Sequence, residues 1–240
     1  MPLYGLVSKM IGLSNDKPSD PEADSNPEAD AGFDSMFDIE KLGRNLRVKN
    51  SFRHYFNKMY TAFVFRNYDG MKSAAEQYSK FKIGTCILAF ISSIQLFYEG
   101  LVSFWIGRKE EDKTWIEKGK NSCRDMESLV DSSSEWNFEN KAKLLQAEEQ
   151  FCAGNLEVAE KLYDSAVSSA KKHKFIHEEA LALELTGHFY LKTGRTKRSI
   201  SYLSQAVEKY REWEAFAKVL SLEKYLEEEK LWPEEYNELL

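Results

Sequence analysis

The residues of this chain that could do chemistry are few and scattered. His173 and His177 lie four apart, the spacing that puts two imidazoles on one helix face as zinc ligands require. Lys171, Lys172 and Lys174 crowd the same stretch and repel a cation, so the pair reads as surface histidines beside a loop. His188 follows Gly187 with no nucleophile near it in sequence, and nothing there makes it a general base. Cys86, Cys123 and Cys152 are odd in number and widely spaced; they form no disulfide framework and no Cys-x-x-Cys, and read as small buried hydrophobes. No Gly-x-x-x-x-Gly-Lys-Ser/Thr, Asp-Phe-Gly, His-Arg-Asp, His-Glu-x-x-His or Gly-x-Ser-x-Gly occurs. Phosphoryl transfer, zinc hydrolysis and serine hydrolysis lack their parts. The chain is therefore expected not to be an enzyme and to need no cofactor or metal.

The elements that carry these residues read as helices. All five prolines are near the ends: Pro2, Pro18, Pro21, Pro27 and Pro233. Proline breaks helix interiors, so the Pro-free run from 28 to 232 favours helices throughout. The net charge of −6 is concentrated at one end, where residues 14–40 hold nine acids and one lysine. The remainder is close to neutral and offers no broad basic face for nucleic acid. With the tetrad Pro-Glu-Ala-Asp at 21–24 and again at 27–30, residues 1–40 are expected to be a disordered acidic leader. A helical-repeat domain is expected over 41–230 and a short tail over 231–240. The start of the chain lacks the basic and long apolar regions of a signal peptide, and a reduced, cytoplasmic setting is expected. The apolar stretch 83–107 carries Thr85, Ser92, Ser93, Gln95 and Glu99, and reads as a core helix rather than a membrane span.

A repeat underlies the helices. A small residue seven before a glycine, then small or apolar residues at five, nine and twelve after it, recurs in Gly187–Gly194–Ser199–Leu203–Ala206 and Ala147–Gly154–Ala159–Tyr163–Ala166. A third copy runs through Gly100, Gly107, Ile116 and Gly119, and a weaker one through Tyr60, Asn67 and Ala75. Turns are expected at 66, 107, 154 and 194, and a period near 40 means helix pairs stacked in an array. Ser51 and Asn137 are expected N-caps, 67–70 a turn, Gly107 a helix end and 131–134 a loop. Gly187, Ala147 and Gly100 should let the second helix of each pair approach at Ala159 or Ser199.

The small–aromatic–Gly–Ala–aromatic–Ala order resembles the tetratricopeptide pattern. Residues 50–226 also look like the helical region that follows the nucleotide-binding domain in large bacterial and algal multi-sensor signalling ATPases and kinases. The runs Asn137–Lys141, Ala159–Ala166, Phe175–Ala182 and Tyr210–Val219 carry that likeness. The resemblance implies an all-α fold of antiparallel helix-pair repeats stacked into a right-handed superhelical solenoid. It implies a regulatory array, standing alone or as a fragment of a larger ATPase or kinase, and carries over no activity.

In such an array the first helix of each pair lines a concave groove. Counting back from Gly154 and Gly194 puts Lys141, Leu144, Glu148, Glu184, His188 and Lys192 there, a mixed polar wall suited to an extended peptide or helix. The same count from Gly107 gives Ile94, Phe97, Leu101, Phe104 and Trp105, which must be roofed by neighbouring helices or form a partner site. The expected function is a non-catalytic scaffold binding a protein or peptide partner in signalling, with no nucleic-acid partner. The alternatives are a fragment whose catalytic domains lie elsewhere, and a protein held at a membrane through 83–107.

Overall fold

The computed structural model describes residues 44–81 and 89–231, and every described element is an α-helix. The acidic leader, Cys86, the start of the 83–107 stretch and all but the first residue of the tail lie outside the described residues. The chain divides near residue 84 into two compact units.

The first unit contains α1 (Arg44–Val64) and α2 (Tyr68–Tyr78). Their shared face is aromatic: the Phe52 and Tyr78 rings lie 4.7 Å apart and those of Phe56 and Tyr78 5.8 Å apart, over buried Met59, Phe63 and Met71. Ser51 lies inside α1 rather than capping it. The expected turn at 67–70 is shorter than its sequence suggests. Asn67 is an N-cap whose Oδ1 accepts from Gly70 N–H at 3.0 Å, and the helix starts at once.

The second unit runs through α3 (Ala89–Glu110), α4 (Lys113–Ser132), α5 (Glu135–Cys152), α6 (Leu156–Lys172), α7 (Ile176–Lys192), α8 (Thr196–Glu212) and α9 (Phe216–Glu228). Consecutive helices pack as antiparallel neighbours, and α3 also touches α5, as α5 touches α7. First helices of successive pairs thus meet, an arrangement consistent with a helical repeat.

From α5 onward the unit has a strict rhythm. Helices α6, α7 and α8 each have 17 residues, and the turns place Gly154, Lys174, Gly194 and Glu214 at φ +79, +61, +75 and +60, each 20 residues after the last. Each turn closes identically. Asn155, Phe175, Arg195 and Ala215 donate their N–H to the carbonyls of Gln150, Ala170, Tyr190 and Tyr210, the longer bond of a Schellman closure. The same four residues offer their own carbonyls to the next helix, at Ala159, Glu179, Ser199 and Val219. Backbone geometry alone therefore ends one helix and begins the next, and none of these N-caps uses a side chain.

Two expected boundaries shift. Helix α4 extends to Ser132, and Ser134 rather than Asn137 caps α5, its Oγ accepting from Asn137 N–H at 3.3 Å. Gly107 does not end α3; the left-handed residue there is Glu111, φ +55. Gly107 is needed for close approach, because a Cβ on it would lie 2.7 Å from Ile116 Cγ1 and 2.9 Å from the Ile116 nitrogen. Gly187 does the same job against Leu203 rather than Ser199, with a Cβ falling 2.6 Å from Leu203 Cγ. Gly100 faces Leu145 and Ser122. Phe97, Leu101 and Phe104 are buried, so the apolar count from Gly107 is covered by the unit's own helices there. No helix among the described residues is long and apolar enough to cross a membrane.

Candidate functional site

The expected groove residues do not form an open polar wall. Lys141, Leu144, Glu148 and Glu184 are buried, His188 is half-buried and Lys192 is exposed. A charge cannot be buried alone without a large desolvation cost, and each buried charge here has partners on other helices.

Glu148 on α5 accepts from Tyr163 Oη of α6 at 2.6 Å and from Arg108 Nη1 of α3 at 2.8 Å. Arg108 also lies over the Phe151 ring, its guanidinium carbon 4.2 Å from the centroid, and donates to Cys152 Sγ at 3.4 Å. Burial works against the charge on Arg108, but the Glu148 carboxylate beside it prevails and holds the guanidinium firmly protonated. Burial, then the same carboxylate, pushes the Tyr163 hydroxyl well above its usual range. Burial also lifts the Cys152 thiol to about 11 although Arg108 pulls the other way, so at neutral pH it is no nucleophile.

Glu184 on α7 is built the same way. It accepts from Tyr210 Oη of α8 at 2.8 Å and from Lys218 Nζ of α9 at 2.7 Å, with His188 Nε2 3.7 Å away. Lys141 on α5 reaches Glu178 at the start of α7, 2.7 Å away, where Asn140 also donates. Burial would raise the Glu178 carboxyl, but His177 and Lys141 outweigh it and hold it below the ordinary carboxylate range.

All three of these ion pairs run between successive first helices. Arg108–Glu148 joins α3 to α5, Lys141–Glu178 joins α5 to α7, and Glu184–Lys218 joins α7 to α9. Every first helix of the second unit is thus ion-paired to the next, and two of the three carboxylates also hold a tyrosine from their own pair's second helix. Of the six expected groove residues, Lys141, Glu148 and Glu184 are these joints. Of the six, Glu184 and His188 lie 3.7 Å apart on α7.

Sequence reasoning missed Arg108, Glu178 and Lys218 as the partners. A signal was present: Lys218 stands in Ala215-Phe216-Ala217-Lys218-Val219-Leu220, a charge in an otherwise apolar stretch. The exposed second-helix side has its own network, in which Glu160 of α6 accepts from Arg195, Arg198 and, at 3.0 Å, Tyr190 Oη. His173 and His177 are not brought together as ligands. His173 stacks near Trp136 and Phe175, His177 near Trp213, and among the described residues no group of three or more His, Cys, Asp or Glu could hold a metal ion.

No protein-family model matches this chain, and no curated protein or solved structure is significantly similar to it.

Proposed function

We propose that this chain is a non-catalytic, tetratricopeptide-like scaffold, wound right-handed, that binds a protein or peptide partner in signalling. The observation that carries this reading is the set of joints between first helices. Arrays whose units touch only their neighbours present an extended surface, and ion pairs at every joint hold that surface in one shape before a partner arrives. Side chains buried in joints do not contact a partner directly, so within the expected groove the contacts fall to His188 and Lys192. Lys141, Glu148 and Glu184 act by setting curvature.

The test is crosslinking of the full chain from a photoreactive residue placed at Lys192, in an extract of its native source, with mass-spectrometric identification. The scaffold reading expects a specific protein crosslinked at that position and released by unlabelled chain in excess. A survey returning no protein above a scrambled-position control would overturn it.

A further inference from the structure

We propose that the turn between α6 and α7, together with the first turn of α5, forms a docking ledge for an acidic peptide segment carrying an apolar side chain. The proposal rests on the reading of the chain as a protein-binding scaffold and names the chemistry of its partner. Trp136 is 54% exposed, yet its ring is held in place 5.8 Å from the His173 ring and 5.1 Å from the Phe175 ring. His173 and Phe175 lie 6.3 Å apart, so three rings form one shelf with the indole outermost. His173 Nδ1 is buried with no hydrogen-bond partner, so ring packing rather than a polar contact holds that imidazole.

Three lysines flank His173 and Phe175 in the chain. Lys171, Lys172 and Lys174 are all exposed, and none enters an ion pair among the described residues. The negative end of α6 accounts for Lys171 and Lys172 in its last turn. It does not account for Lys174, which lies past the helix at φ +61, a left-handed position that glycine fills in the neighbouring turns at 154 and 194. A tryptophan packed against two rings yet 54% exposed, with three exposed lysines beside those two ring residues in the chain that enter no ion pair among the described residues, is complementary to an anionic segment with an apolar anchor. A nucleic acid fits less well, since three lysines neutralise few phosphates.

The test uses the full chain and a fluorescein-labelled synthetic peptide in which Asp and Glu alternate with Phe and Leu, followed by anisotropy. Binding should weaken by about tenfold or more in the Lys171→Gln/Lys172→Gln/Lys174→Gln variant and by a similar factor in Trp136→Ala. It should not change in Lys161→Gln/Lys197→Gln, whose lysines are exposed elsewhere on α6 and α8. The ledge is overturned by any of four results: no binding of the peptide, equal binding of its Asn/Gln counterpart, equal loss in the control variant, or tighter binding of a single-stranded oligonucleotide with the same lysine dependence. Failure of the ledge alone is distinguishable: the partner crosslinked from position 192 would still be captured by the triple-lysine variant, whereas failure of the scaffold reading leaves no partner to capture.

Discussion

Two buried clusters in the second unit share one chemistry and differ in access to water. Around Glu148 and around Glu184, a tyrosine of the paired helix and a cation of a neighbouring first helix meet one carboxylate. The cation at Glu148 is Arg108, whose side chain stays 28% exposed and spreads over Phe151 and Cys152. The cation at Glu184 is Lys218, 1% exposed against a carboxylate 2% exposed. Arginine keeps its charge with part of its fork in water, whereas the lysine ammonium, a compact and strongly hydrated charge, has exchanged that hydration for protein partners. The first joint should therefore tolerate losing its cation better than the second.

The largest effect should come from breaking the second joint. Lys218→Met leaves Glu184 buried without its cation and should cost about 3–5 kcal/mol in denaturant unfolding. Adding Glu184→Gln removes the stranded charge while keeping an acceptor for Tyr210, and should recover most of the loss. Arg108→Met should cost less, about 1–3 kcal/mol, since water can reach the vacated side of Glu148. Equal losses for Lys218→Met and Arg108→Met would break the comparison, because exposure would then not be what separates the joints.

Little of this was legible in the sequence, although the helices were. Absence of proline, small residues at close contacts and glycine at 154 and 194 all announce themselves, because each removes an atom or frees a dihedral. Lys174 and Glu214 occupy the same left-handed geometry without glycine, and their turns are closed by backbone bonds that any side chain permits. Charge is the other blind spot. On a helix wheel, Lys141, Glu148 and Glu184 look like a solvated stripe; only a third helix, distant in sequence, turns the stripe into a joint. Gly107 misleads for the opposite reason, since a glycine that lets Ile116 approach resembles one that ends a helix.

The third joint, Lys141–Glu178, extends the comparison to pH. A carboxyl held low in the folded chain contributes stability that is fully present above its unfolded pKa and is lost as pH falls through the folded one. Glu178 is held low by His177 and Lys141 against its burial, and Glu160 is held low by Arg195, Tyr190 and Arg198 against its own. Stability should therefore fall as pH drops through and below the ordinary carboxylate range, about 4.3 for glutamate. Glu99 has the opposite sign, since burial raises its carboxyl, and protonation there relieves a cost present at neutral pH. Glu178→Gln should flatten the acid limb of a pH series of urea melts, and Glu99→Gln should steepen it. An unchanged acid limb in Glu178→Gln would show that the α5–α7 joint is not held by charge.

The smallest effect sharpens the comparison at the turns next to the two clusters. Tyr163 of α6 reaches Glu148 of α5 across the turn containing Gly154, and Lys218, which pairs with Glu184, stands in the first turn of α9 just past Glu214. Gly154 adopts φ +79 freely and a Cβ there would meet nothing within 4 Å, so Gly154→Ala would cost only what the left-handed backbone charges an L-residue, about 1–2 kcal/mol. Glu214 bears that strain already at φ +60. Glu214→Gly removes it but adds freedom to the unfolded chain worth about 0.5–1 kcal/mol, so a net gain near 0.5–1 kcal/mol is expected. That gain should appear in denaturant melts of the otherwise native chain and again, at the same size, on the Lys218→Met background. A smaller gain on that background would mean that Lys218 is what forces Glu214 into the left-handed turn, and that the turn and the buried ion pair are one device rather than two.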